Sequence, residues 1–126
     1  METILIQETD QSILDILKIA LETEGFEIFS MLDDDDSFMD KIEGTRPHVV
    51  LLDFKLDGRI CIEMCRLIKA KYPHLPVLAL SCNSNIDIVY NKHGFDGYIK
   101  KPFDLDLLYR ILKEHLVKSD GLLDRN

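Results

Sequence analysis

Four groups of residues that could do chemistry together each follow a short apolar run. Glu8, Thr9 and Asp10 follow the first, and Asp53 follows another. Ser81, Cys82 and Asn83 follow a third, and Lys100, Lys101 and Pro102 follow a fourth. Carboxylate oxygens suit a hard cation such as Mg2+. A carboxylate is also a usable nucleophile toward phosphorus, giving an acyl phosphate. Lysine adds a compact positive charge, and serine a hydroxyl donor. The set could hold a hard cation and a phosphoryl group if the fold brings these positions to one edge.

The elements that must do so can be read from periodicity. Short apolar, β-branched runs occur at Thr3 to Gln7, Phe26 to Phe29, Val49 to Leu52, Val77 to Leu80, and Tyr98 with Ile99. Between them lie stretches with helical spacing. Ile13, Leu14, Leu17, Ala20 and Leu21 recur at three- and four-residue steps, as one helix face requires. Ile62, Cys65 and Ile68 do the same, as do Ile86, Val89 and Tyr90. Leu105, Leu108, Ile111, Leu112 and Leu116 predict an amphipathic last helix. Strand and helix in alternation predict an α/β fold: a doubly wound, five-stranded parallel sheet with helices on both faces. Ile4-Leu5-Ile6 and Val49-Val50-Leu51-Leu52 are apolar on both alternations, as central strands buried on both sides must be. Gly25 sits where a helix C-terminal cap is expected, and Asp104 where an N-cap is. Pro47, Pro73 and Pro76 fall in connections before strands. Such sheets bind ligands at the carboxyl ends of their strands, which is where the chemical groups lie.

Composition narrows the function. The chain has 126 residues, 46% hydrophobic and 30% charged, and a formal net charge of −8. One domain of this size can bury a core without staples. The acidic balance argues against direct nucleic-acid binding and against an anionic membrane surface. No apolar run approaches bilayer length, and the start, METILIQE, does not read as a signal peptide. Cys61, Cys65 and Cys82 lack metal-ligand spacing and read as free thiols in a reducing cytoplasm. Residues 1–118 are expected to form the domain, with 119–126 a C-terminal tail or the start of a linker.

Taken in order, the motifs resemble the receiver domains of response regulators in two-component signalling, including the chemotaxis regulators. ILIQETD is similar to that family's first strand with its acidic pair, and VVLLDFKLDG to its third strand with the phosphoacceptor aspartate. PVLALS is similar to the fourth strand with its terminal hydroxyl, and GFDGYIKKPF to the fifth with its switch aromatic and site lysine. The likeness runs from Thr3 to Leu116. It implies the flavodoxin-like receiver fold, with Asp53 as phosphoacceptor and Lys101 and Ser81 as its catalytic partners. It implies Mg2+ held by Glu8, Asp53 and the backbone carbonyl of Lys55, with Asp10 as a further candidate. It implies a switch in which Ser81 moves to the phosphoryl group and Tyr98 turns inward, reshaping the surface of the fourth helix, fifth strand and fifth helix. It also implies a cis Lys101-Pro102 bond. The partners would be a histidine kinase or phosphotransfer protein and a downstream protein or attached output domain. A homodimer through the last helix is common in the family. The domain would be no conventional enzyme, at most catalysing its own phosphorylation and dephosphorylation.

Three positions depart from that pattern. Thr9 stands where the family's second acid ligates the metal, so a weakened Mg2+ site is expected, by at least roughly 10–100-fold. Asp57 and Cys61 stand where the family often has proline and glycine. Asp57 could aid metal binding or repel a phosphodonor, while the Lys55 ammonium could replace part of the metal's charge. Thr9 also supports a different reading: a pseudo-receiver that binds proteins without phosphorylation. A flavodoxin-like cofactor binder ranks last, because QETDQS has no glycine and is acidic.

Other conspicuous features take plainer readings. Asp33 to Asp36 lack the spacing and glycine of a calcium loop, and are expected to be a solvated helix N-terminus. Cys61 and Cys65 are expected to be core or half-buried thiols rather than a redox pair. His115 is expected on the surface.

Overall fold

The computed structural model describes the backbone of residues 2–31, 37–55 and 57–123, with side chains described up to residue 116. The strands are β1 (Thr3–Gln7), β2 (Glu27–Met31), β3 (Val49–Phe54), β4 (Val77–Ser81) and β5 (Gly97–Lys100). The helices are α1 (Gln11–Thr23), α2 (Phe38–Thr45), α3 (Arg59–Lys71), α4 (Ile86–Val89) and α5 (Leu105–Leu123). All strand pairs are parallel, in the order β2-β1-β3-β4-β5.

The strands' two-residue period builds two cores. Ile4, Ile6, Val49, Leu51, Leu78 and Leu80 face α1 and α5, meeting Leu14, Leu17 and Leu21 from one helix and Leu108, Leu112 and Leu116 from the other. Leu5, Val50, Leu52, Val77 and Ala79 face the opposite way, toward Phe38 and Ile42 of α2 and Met64, Cys65 and Ile68 of α3. Removing each such leucine from water contributes about 2 kcal/mol. The fold expected from the alternation is the one observed.

Local chemistry fixes the element ends. Asp10 caps α1, its Oδ1 accepting from the N–H groups of Ser12 and Ile13. At the other end Gly25 takes φ 94°, its N–H donates to Glu22 and that of Phe26 to Leu21, a Schellman closure. Phe26 is therefore spent on ending α1, so β2 starts one residue later than its apolar run suggests. Asp104 caps α5, accepting from the N–H of Asp106. The α5 helix runs through Leu123, so 119–123, expected as tail or linker, continues its backbone. The aspartates at 33–36 lie outside the described residues. His115 differs from expectation: it is half-buried over Gly97, with Nδ1 2.9 Å from the Ile111 carbonyl.

Chain order reverses between β1 and β3, the two strands from which the windings run outward. Crevices form at the carboxyl ends of strands at such a reversal. Glu8 leaves β1 there, and Asp53 lies one residue from the end of β3.

Candidate functional site

Asp53 is buried at 6% exposure, and both its carboxylate oxygens are engaged. Lys101 Nζ donates to Oδ1 at 2.9 Å. The Thr9 hydroxyl donates to Oδ2 at 2.8 Å, with the Thr9 backbone N–H at 3.4 Å. Lys101 also lies 2.6 Å from Glu8 Oε1, a contact that is an ion pair without hydrogen-bond geometry. One ammonium thus serves two buried carboxylates.

The protonation of these groups follows from their surroundings. Burial pushes the Glu8 carboxyl above its ordinary value, and its contacts with Lys101 only partly offset this. Burial also pushes Asp53 up, but contacts with Glu8, Lys101 and Thr9 outweigh it and hold Asp53 below the usual range. Burial opposes the charge on Lys101, yet Glu8 and Asp53 together raise its pKa. Asp53 is thus kept ionised, while its neighbour Glu8 is the group that more readily takes a proton.

Five elements position these groups. Glu8 is held at the end of β1 by its N–H donating to the Met31 carbonyl of β2. Lys101 follows β5, and its N–H donates to the Ser81 carbonyl at the end of β4. The Lys101-Pro102 bond is cis, as the likeness implied. Ser81 is buried beside the site in register with Phe54, but its Oγ accepts from the Asn83 N–H and makes no hydrogen bond to Asp53. Tyr98 is half-buried, its ring 5.0 Å from that of Tyr90.

Of the remaining candidates, Asp10 is committed to the α1 cap, and its N–H donates to Glu8 Oε2. The Lys55 carbonyl accepts from the Gly58 N–H in the turn after β3. Asp57 is exposed and turned to Arg59, accepting from its N–H and pairing with its guanidinium. Cys61 and Cys65 are both buried, and Cys82 is exposed.

Two features of the site escaped the sequence reading. Gln7 is buried, and its Oε1 accepts from the Asp53 N–H at 3.1 Å. The signal was present as an amide directly following the apolar run Ile4-Leu5-Ile6 of a central strand. The other is the contact of Phe54 with Gly58. Gly58 has φ 75°, and a Cβ there would lie 2.1 Å from the Phe54 ring. No sequence pattern carries that contact, because it depends on the path of the loop.

Mg2+ is commonly held by one or two carboxylates, with water completing its shell. Glu8 and Asp53 meet that minimum, although Lys101 already lies beside an oxygen of each, 2.6 Å from Glu8 Oε1 and 2.9 Å from Asp53 Oδ1. No cluster of three or more His, Cys, Asp or Glu side chains suited to a metal occurs among the described residues. Two carboxylates therefore offer at most a reduced Mg2+ site.

Beside Asp53 opens a cleft of about 530 Å3, lined among others by Gln7, Lys55, Arg59, Cys61 and Met64. No described helix is long and apolar enough to cross a membrane.

Comparison with known proteins agrees with the fold. A response regulator receiver domain protein from Clostridium thermocellum superposes with a TM-score of 0.84 at 24% identity, covering 97% of this chain and 99% of that one. The receiver domain of NtrX from Brucella abortus has a TM-score of 0.77 at 30% identity, covering 90% and 97%. NtrX from the same organism in complex with ATP has a TM-score of 0.82 at 29% identity, covering 97% of this chain but 28% of its own. Residues 4–113 match the family described as the response regulator receiver domain, and the chain belongs to that family.

Proposed function

We propose that Asp53 accepts a phosphoryl group from a histidine kinase or phosphotransfer protein, and that this changes a protein-binding surface. Phosphorylation-based switching is general to the family, and its members are signalling domains rather than enzymes. The observation that supports the reading here is the state of Asp53: buried, ionised, and set between the Lys101 ammonium and the Thr9 hydroxyl.

In the transfer, a carboxylate oxygen of Asp53 forms a bond to phosphorus. The bond from phosphorus to the donor's imidazole nitrogen breaks, and the leaving imidazole keeps that electron pair. Lys101 balances charge on the transferring group from its place beside Oδ1. Ser81 Oγ accepts from the Asn83 N–H, which leaves its own hydroxyl hydrogen to donate to a phosphoryl oxygen once the side chain moves toward it. Tyr98, packed on Tyr90, then moves into the space left behind. Receiver domains typically bind Mg2+ at their acidic pocket, where the cation would neutralise phosphoryl charge. In this chain Glu8, Asp53 and the Lys55 carbonyl would hold it.

The partners follow from the family, whose receivers interact with histidine kinases and output domains. An attached output domain is supported by the NtrX likeness, in which the matched part is 28% of a longer chain. The three free thiols support a reducing cytoplasm.

A pseudo-receiver is the competing reading, favoured by one observation: Thr9, not an acid, faces Asp53. Amide NMR during addition of Mg2+ and beryllofluoride separates the two, with Asp53→Asn as control. Shifts at Asp53, Ser81 and Lys101 that spread to Tyr98, and are absent in the control, are expected. Silence at high Mg2+ would leave protein binding alone as the function.

A further inference from the structure

Gln7 is a buried amide at the carboxyl end of β1, on the α3 side of the sheet. Burying an amide without partners costs about 1–3 kcal/mol, so each polar atom of Gln7 needs one. Its exposure is 3%. The β1–β3 register ends at Gln7 opposite Leu52, so the Asp53 N–H lies one residue beyond the last pair. Gln7 Oε1 accepts that N–H at 3.1 Å and so stands in for a ladder carbonyl. The amide orientation is fixed by this bond, since only its oxygen can accept from an N–H. The Nε2 of the same planar group therefore has a set position. It makes no hydrogen bond among the described residues, and Gln7 lines the cleft beside Asp53.

We propose that Gln7 is a phosphoryl-binding residue: Oε1 holds the main chain of the acceptor, and Nε2 donates to an oxygen of the group that Asp53 receives. The inference rests on the phosphoacceptor reading of Asp53. A neutral donor suits this pocket, where Glu8 and Asp53 already share one ammonium. Because Oε1 is anchored, the donor is in place before the oxyanion arrives, and little rotamer freedom is lost on binding.

The test follows the Gln7 side-chain NH2 signals, assigned through bonds, during a beryllofluoride titration of the full chain in excess Mg2+. Asp53→Asn serves as the null and Gln7→Met as the neutral variant of similar length. Thermal unfolding of each variant is recorded in parallel. The expected result is that the NH2 signals shift and become protected from exchange together with the Asp53 and Lys101 amides. Gln7→Met is expected to bind beryllofluoride about ten-fold more weakly. Movement at Asp53 and Lys101 with an unmoved Gln7 NH2 overturns the proposal and leaves the phosphoacceptor reading standing. Wild-type affinity in folded Gln7→Met overturns it as well. If Gln7→Met does not fold, the side-chain signals alone decide. A wild-type chain that does not respond at all overturns both readings.

Discussion

The hydroxyl of Thr9 donates to Oδ2 of Asp53 at 2.8 Å, joining positions 44 residues apart. A neutral residue at a position where the family carries an acid thus also binds the Asp53 carboxylate directly. It helps to hold Asp53 ionised while depriving a cation of a carboxylate.

That trade predicts the effect of Thr9→Asp. Mg2+ affinity should rise at least about ten-fold, because a charged ligand replaces a neutral one. Without Mg2+ the variant should be less stable than wild type, since two carboxylates then face each other across the lost hydrogen bond. Titration of Mg2+ by amide NMR checks the first point and unfolding with and without Mg2+ the second. Unchanged affinity would show that Thr9 is not what limits the site.

Lys101→Met should leave Glu8 and Asp53 buried without their shared cation. Breaking such a buried arrangement from one side costs about 3 kcal/mol. Urea unfolding near neutral pH measures the loss. The deficit should shrink as pH falls, because protons can then neutralise the pair. A deficit independent of pH would argue that lost packing, not charge, is responsible.

Glu8 and Asp53 should leave opposite marks on the pH dependence of stability. The Glu8 pKa is raised above its ordinary 4.5, so the folded chain binds this proton more readily than the unfolded chain. Wild type therefore loses stability as pH rises from 4.5 through the raised value. The Asp53 pKa lies below its ordinary 3.8, so its contribution is present above 3.8 and lost as pH falls through the lowered value. Glu8→Gln removes the first effect. Relative to wild type, it should become more stable as pH rises from 4.5 through the raised Glu8 value. Denaturation series at several pH values should reveal that divergence, and parallel curves would refute it.

The three thiols should divide sharply in reactivity. Burial pushes the Cys65 thiol up to about 12 and raises Cys61 further, whereas Cys82 is exposed. A thiolate reagent near neutral pH should modify one cysteine per folded chain, at Cys82, and all three after unfolding. Peptide mapping of the labelled site would expose any fast reaction at Cys61 or Cys65.

Gly58→Ala should destabilise the chain by about 2 kcal/mol or more. The residue sits at φ 75°, and the added Cβ would overlap the Phe54 ring. The same change should disturb signals of Phe95 and His93, whose rings lie 6.0 and 6.5 Å from Phe54. A variant of wild-type stability would mean that the ring moves aside freely.

Much of this protein is determined by local sequence. The two apolar alternations in Ile4-Leu5-Ile6 and Val49-Val50-Leu51-Leu52 require strands covered on both faces, and the helical spacings supply the covers. Asp10, Gly25 and Asp104 mark helix ends through hydrogen bonds that reach only a few residues. That Asp53, Glu8, Ser81 and Lys101 would lie near one another was legible because a parallel sheet gathers its strand ends on one edge. What those residues do to one another was not legible, since hydrogen-bond partners depend on rotamers and strand register. Thr9 reads in sequence as a lost ligand, and only the folded chain turns its hydroxyl onto Asp53. Asp10 reads as a spare carboxylate, but the local geometry of α1 commits it to a cap. Gln7 reads as an oddity in a strand until β3 brings the Asp53 N–H within reach of its amide. Sequence thus determined which groups would meet, through periodicity and topology. Tertiary structure decided their pairing, because hydrogen bonds and ion pairs depend on distances of a few ångströms that pattern alone does not encode.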